Sequence, residues 1–434
     1  MLQRLFYLRE RQTTLRVELT AGITTFMTMA YIIFVNTSIL RQIPGLGSDG
    51  VAIAAATCLA AAIPTLMMGL FTNTPYALAP GMGLNGVLTF TVCIGNHVPW
   101  QTAMGVVCLE GLIIMVLVLS RTREAVMQAI PLDLKRAISV GIGLFIALLG
   151  MMNAGLTHVD ASAGILAPGS LHDKAVLLGA VGLAITIVLY VLSVRGSLLI
   201  GIVITTIIAL ITHMSTIPAS TALLTVPKFT TMFHANILGA LQPGMWATIL
   251  AFVMSDFFDA MGTVIGVGQQ AGLVDDQCKM PQLRSVLLVD GFAAMWGGIC
   301  GTSSATTYIE SASGVAEGGR TGLTSVVVGC LFMLALIIAP LVQIVPAQAT
   351  APALIIVGFL MLATVTKIDW SNVETAVPAF ITIATIPFTY SISRGIGMGF
   401  ISYIIIMLAR RKAASISPIL VVVAGLFVVS FVWS

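Results

Sequence analysis

Charge is what this chain has least of. Of its 434 residues, 9% are Asp, Glu, Lys or Arg and 58% are hydrophobic. A soluble domain carries roughly a quarter of its residues charged, because its surface faces water. The shortage excludes a soluble globular protein and points to an all-α polytopic membrane protein with the lipid bilayer as most of its solvent. A formal net charge of +3 is too small to imply nucleic acid as a partner. The five histidines (His97, His158, His172, His213 and His234) fall in or beside predicted loops, so no histidine metal site is visible and no cofactor is called for. Six cysteines lack CxxC spacing and mostly lie inside apolar runs, which reads as small buried hydrophobes and not as a disulfide or metal framework. No GxxxxGK[ST] occurs, and "GVGQQAG" (266–272) follows no strand. Whatever drives the protein is an ion gradient or nothing. The basic, amphipathic start "MLQRLFYLRERQTTLR" lacks a small-residue cleavage site, so a secretory leader is not expected.

What is present is a series of apolar runs. A crossing takes roughly 20 apolar residues, and runs near 17–40, 50–71, 76–95, 101–120, 135–153, 174–193 and 196–213 meet or approach that length. A polar, proline-punctuated linker (214–243) follows, then runs near 245–270, 284–300, 303–317, 321–343, 349–366, 372–388 and 391–409. A last apolar run, 417–433, is a candidate extra span within a C-terminal segment 412–434. Lys and Arg collect on the cytoplasmic side. With the N-terminal segment 1–16 placed inside, Arg121, Arg123, Lys135, Arg136, Arg195, Lys279, Arg284, Arg320, Lys367 and the cluster Arg410-Arg411-Lys412 also fall inside. Only isolated cations such as Arg41, Lys228 and Arg394 fall outside. Seven spans is an odd number, so the second set (244–411) starts on the opposite side from the first (17–213). That is the plan of an inverted repeat.

In each set the third span is anomalous: "ALAPGMGLNGVLTF" (77–90) and "GTSSATTYIESASG" (301–314) carry glycine, proline and hydroxyls where the chain should be crossing. Interrupted spans at matching positions point to a transporter's binding site, and broken backbone is tolerated only against protein or a hydrated cavity. Ionisable residues at this depth cost on the order of 2.5–3.5 kcal/mol at a span's centre. The candidates are Asp256, Asp259, Asp290, Glu110 and Glu310. "SDFFDAMGTVIG" (255–266) sets Asp256 and Asp259 near one helix face, with Gly262 and Gly266 as a small-xxx-small pair expected to admit a neighbouring backbone. Glu310 sits among Thr306, Thr307, Tyr308 and Ser311; a structural role for it would need a buried cation, and the nearest, Arg320, is ten positions away. Asp290 equally suits an interface, and Glu110 reads as structural or lumen-facing. Two carboxylates sharing a poorly hydrated cavity repel, so one can stay protonated. Such a pair suits a neutral, planar, hydrogen-bonding ligand and can carry a proton.

These residues bear a resemblance. "ELTAGITTFMTMAYIIFVN" (18–36), "ALAPGMGLN" (77–85), "FFDAMGTVIGV" (257–267), "GTSSATTYIESASGVAEGGRTGLT" (301–324) and "VPAFITIATIPFTYSISRGIGMGF" (377–400) resemble the AzgA-like purine permeases of the nucleobase/ascorbate transporter superfamily, over nearly the whole chain. The resemblance implies the uracil-permease fold: fourteen spans in two inverted sevens, the third and tenth broken by short antiparallel strands. It also implies a core domain (spans 1–4 and 8–11) and a gate domain (5–7 and 12–14), with elevator-type movement of one against the other. It implies Asp259 as the eighth-span carboxylate that hydrogen-bonds the base, with Thr263 one turn on, and Glu310 as the tenth-span carboxylate. Ile309, Gly83 and Leu84 then offer backbone groups to the ring edge. Asn85 and Thr307 join the substrate-binding set; Asp256 and Ser311 stand with Thr263 behind it. Asp259 stands where the uracil permease has Glu, and its shorter arm leaves more room, as a bicyclic purine needs.

The function expected is import of adenine, hypoxanthine or guanine by proton symport across the inner membrane, with Asp259 and Glu310 carrying the proton, no enzymatic activity, and a homodimer as a possible assembly. An anion exchanger of the same fold is the alternative, disfavoured because no cation lies in the interrupted segments. An intramembrane aspartyl protease would also use buried acids, but the chain offers no GxGD-type motif.

Overall fold

Backbone in lipid must satisfy its own polar groups, and runs this apolar can do so only as helices. The computed structural model describes residues 2–120, 130–160, 166–215, 229–274 and 280–433. Arg121, Arg123, Lys228, Lys279, Cys278 and residues 216–228 of the linker lie outside them. The first half contains α1 (Leu15–Met29), α2 (Ile32–Leu40), α3 (Gly50–Met67), β1 (Leu78–Pro80), α4 (Met82–Gly86), α5 (Trp100–Leu119) and α6 (Leu132–Asn153). An exposed two-stranded ribbon, β2 (Thr157–Val159) with β3 (Leu166–Pro168), precedes α7 (Lys174–Val191) and α8 (Ser197–Ile211). The second half contains α9 (Trp246–Gln270), α10 (Leu283–Cys300), β4 (Ala305–Thr307), α11 (Ser311–Ala316), α12 (Gly322–Ala335), α13 (Ala347–Leu362), α14 (Val373–Thr389), α15 (Ile392–Ala409) and α16 (Pro418–Trp433). Ten helical stretches are long and apolar enough to cross a membrane, and four shorter apolar ones accompany them among the described residues. Loop residues start the helices: Thr14, Asp49, Asp173, Asn372 and Ser391 each accept a backbone N–H of the turn that follows.

The helices pack in two groups. In one, α12 lies against α1 and α3, α10 against α5 and α3, and α9 against α5. In the other, α6 lies against α13 and α14, α14 against α15, and α7 against α8 and α13. Small residues set the closest approaches. A Cβ added at Gly143 of α6 would strike the carbonyl of Gly358 on α13, and one added at Gly358 would strike the carbonyl of Gly143. The final helix α16 folds back on α15, where the Phe400 and Phe427 rings meet edge-on at 6.2 Å. Cys58, Cys93, Cys108 and Cys300 are buried and Cys330 is exposed, all as free thiols.

The two interrupted segments meet in the first group. β1 pairs antiparallel with β4, Leu78 opposite Thr307 and Pro80 opposite Ala305. The ladder runs on past both ends: Gly81 N donates to Ser304 O at 2.8 Å and Tyr308 N to Ala77 O at 2.9 Å. Thr65 of α3 closes the outer edge of β1, its hydroxyl accepting from Leu78 N (2.9 Å) and lying 3.1 Å from Leu78 O.

Glu18, a carboxylate that the sequence reading passed over, joins α1 to the start of α12. It is fully buried and accepts from Arg320 N (2.9 Å), Thr324 N (3.2 Å) and the Thr324 hydroxyl (2.5 Å). Orphan N–H groups at a helix start thus receive an anion, which the helix dipole favours. Hydrogen bonds to a charged group contribute roughly 1.5–3 kcal/mol each. Glu18→Ala is expected to lower the thermal unfolding temperature in detergent by several degrees, whereas Asp369→Ala, in an exposed loop, is expected to leave it alone. Equal melting of the Glu18→Ala protein and the parent would show that the clamp contributes nothing.

Candidate functional site

Asp259 projects from the middle of α9, where an apolar span should have no charge. It is exposed and makes no hydrogen bond among the described residues. Gly262 and Gly266 follow it at helical spacing on the same face. The sequence reading expected these glycines to admit a neighbouring helix, and the structure corrects that: a Cβ added at either meets nothing within 4 Å. They clear space instead. Asp259 therefore heads a strip of α9 free of side chains and open to a ligand.

Opposite this strip stands the turn between β4 and α11. Ile309 is 53% exposed, although Tyr308 before it is buried and Glu310 after it is half-buried. Glu310 Oε1 accepts a 2.6 Å hydrogen bond from the hydroxyl of Tyr31, a fully buried residue at the break between α1 and α2. The sequence reading allowed Glu310 only a buried cation as a structural partner; the partner is a phenol. Tyr31 was missed, and the one signal for it was a lone tyrosine inside "MTMAYIIF" (27–34). Tyr308 is fixed in turn, its hydroxyl donating to Pro80 O at 2.5 Å. Asp259 and Glu310 lie close enough to interact electrostatically.

Several of the expected residues stand behind this opening. Thr307 gives its N–H (2.8 Å) and hydroxyl (2.6 Å) to Asp290 Oδ1, and Thr306 adds its hydroxyl at 3.3 Å. The side chain of Thr307 is thus a brace for β4 and not a free ligand group. The amide oxygen of buried Asn85 accepts from the Ser303 hydroxyl. Ser311 Oγ accepts from Ala77 N at 3.0 Å. Thr263, Leu84 and Asp256 are buried. Gly83 and Leu84 sit in the first turn of α4, where backbone N–H groups are left without helical partners. Gly83 does permit a close approach, but to protein: a Cβ there would lie 2.6 Å from Ile142 Cγ2 on α6. Asp259, Ile309 and Glu310 are brought together at the opening; Thr307, Asn85, Ser311, Thr263 and Asp256 support it.

The chemistry on offer is narrow. Two carboxylates, exposed backbone edges and bare glycine surface face the opening. Neither interrupted segment, 77–95 or 301–317, contains Lys, Arg or His. Such a site accepts hydrogen bonds from a ligand and offers an anion no cationic side chain. Among the described residues, no group of three His, Cys, Asp or Glu could hold a metal ion.

The sequence profile Xan_ur_permease, described as "Permease family", matches residues 16–398. The chain is similar to the adenine permease AdeP of Escherichia coli, 40% identical over 437 residues, covering 100% of this chain and 96% of the relative. It is similar to the guanine/hypoxanthine permease PbuO of Bacillus subtilis, 42% identical over 434 residues with 98% of each covered. Among solved structures, the transmembrane domain of the cyanobacterial bicarbonate transporter BicA matches with a TM-score of 0.64 at 16% identity, covering 87% of this chain and 97% of that one. The likeness to BicA is one of fold alone. The chain belongs to this permease family, as its resemblance to the AzgA-like permeases implies, and is a multi-pass membrane transporter and not an enzyme.

Proposed function

We propose that this protein imports purine nucleobases (adenine, hypoxanthine or guanine) by proton symport across the inner membrane, its N-terminus in the cytoplasm. The observation that carries the reading is the pairing of Asp259 with Glu310 across an opening floored by Gly262 and Gly266, without a cation. A flat, neutral, bicyclic ring fits a strip with no side chains, and its N–H groups need acceptors. The names of the relatives, adenine permease and guanine/hypoxanthine permease, support the same class of substrate. Against anion exchange stands the want of any cation in residues 77–95 and 301–317.

The proposed plan is two inverted sevens, residues 17–213 and 244–411, with 412–434 as an additional segment. The first packing group, with β1, β4, α4 and α11, is the core that carries the ligand; the second is the gate. The reciprocal glycine contact of α6 and α13 supports equivalence of the fifth and twelfth spans. An elevator movement then slides the core over α6, where Gly83 and Gly86 keep the contact shallow at Ile142 and Phe145.

Asp259→Asn and Glu310→Gln are each expected to abolish concentrative uptake while leaving membrane expression intact. Losing a hydrogen bond to a charged group costs roughly 1.5–3 kcal/mol, about ten- to a hundredfold in affinity. Uptake and binding of radiolabelled purines in transport-deficient cells measure this, and wild-type behaviour of either variant removes that residue from the site.

Gly262→Ala adds a methyl where the fold has room. Its melting temperature is expected to match the parent's while purine affinity falls about tenfold or more. Undiminished binding would place the ring elsewhere.

Coupling gives the decisive test. One charge crossing about 100 mV releases roughly 2.3 kcal/mol, enough at about 1.4 kcal/mol per tenfold to hold a neutral base at a roughly fiftyfold gradient. Accumulation in proteoliposomes is expected to follow an imposed proton gradient, collapse with a protonophore and ignore ATP. Equal accumulation with and without the gradient would leave a facilitator or sodium coupling in place of proton symport.

A further inference from the structure

Three more carboxylates gather behind β4, away from the opening: Glu110 of α5, Asp256 of α9 and Asp290 of α10, each at most 1% exposed. Their surroundings differ. Asp290 is supplied with donors by Thr306 and Thr307. Glu110 and Asp256 make no hydrogen bond of ordinary geometry, and the nearest donors are one hydroxyl each: that of fully buried Ser304 beside Glu110 and that of Thr306 beside Asp256.

The titratable groups around Glu110 are Asp290, Asp256 and Cys108; those around Asp256 are Asp290, Glu110 and Asp259. No Lys, Arg or His lies on α5 or α9. On α10 the one cation is Arg284, in the first turn of the helix, and it donates to Leu119 O at the end of α5. Three carboxyl groups buried together with no cation among them are very costly as anions, so the cluster reaches neutrality by holding protons, and the Ser304 hydroxyl is placed to hydrogen-bond one.

We infer that Glu110 and Asp256 form a second, buried proton site, loaded through Asp259 and read out by β4. Asp256 precedes Asp259 by three residues, so the two share a helix face across one turn. In loading, the O–H bond of protonated Asp259 breaks, an O–H bond forms on the Asp256 carboxylate, and the negative charge passes to Asp259 at the opening. β4 is the element that feels the result. Ser304 before it faces Glu110, Thr306 faces Asp256, Thr307 is held by Asp290, and Ile309 and Glu310 follow directly. Emptying the pair puts new charge against Asp290 and strains the strand that carries the ligand turn. The inference rests on the proton-symport reading but names different residues as the store.

Glu110→Gln and Asp256→Asn copy the protonated shapes. Glu110→Gln is expected to bind radiolabelled hypoxanthine within about threefold of the parent at pH 6, and both variants in proteoliposomes to equilibrate it to a ratio of about 1 in place of the roughly fiftyfold gradient. Infrared difference spectra of the parent, taken with and without hypoxanthine at neutral pH, are expected to show a buried protonated-carboxyl band that each variant loses or weakens. Full accumulation by both variants, or a band of undiminished strength in both, overturns the inference while leaving proton symport standing. A parent protein with no buried protonated-carboxyl band rejects it without any variant. A parent that ignores the proton gradient sinks the symport reading and, with it, the store's role in coupling.

Discussion

Asp290 holding β4 is the contact on which the rest of the site depends. A strand at membrane depth has no water to satisfy its backbone, and two strands of three residues pair through only a few bonds. The remainder comes from side chains: Asp290 and the hydroxyls of Thr306 and Thr307 on one side, Thr65 on the other, Tyr308 and Ser311 at the turn. Without Asp290, the N–H and hydroxyl of Thr307 would lose their acceptor in the core, and unmet buried donors cost roughly 1–3 kcal/mol each. Asp290 is thus the condition for having a non-helical turn inside the bilayer at all.

The membrane class, most of the spans and the pair of interrupted segments were legible in the sequence because each rests on composition along a continuous run. The apolar stretches show themselves by length, and "GTSSATTYIESASG" (301–314) by its polarity. What could not be read was direction. Gly262 and Gly266 have the spacing of a helix contact, and spacing is the same whether a glycine faces a neighbour or a void. Thr307 and Asn85 have the right chemistry for ligands and spend it on Asp290 and Ser303. Tyr31 lies 279 residues from Glu310, and only the folded chain makes them partners. Glu18 drew no notice in the sequence, yet it accepts three hydrogen bonds, whereas Glu110, visible as an isolated acid in an apolar run, makes none of ordinary geometry.

That last contrast orders all the acids at membrane depth. Glu18 and Asp290 each accept from three neighbouring backbone and hydroxyl donors and serve as fixtures. Glu310 has one side-chain donor, Tyr31. Asp259 has none but reaches the opening. Glu110 and Asp256 are sealed in, with one hydroxyl each, Ser304 and Thr306, as their nearest donors and no bond of ordinary geometry. A fully hydrogen-bonded carboxylate resists a proton because taking one forfeits its donors. A carboxylate without donors forfeits nothing, and in a medium of low dielectric it gains by becoming neutral. Under the proposed symport, residues that exchange protons in step with a ligand therefore have to come from the poorly provided end of this series. In the proposed cycle the well-provided acids hold the strand still, so that a change of charge at Asp259, Asp256 or Glu110 is felt as a force on β4 and is not dissipated in a loose core.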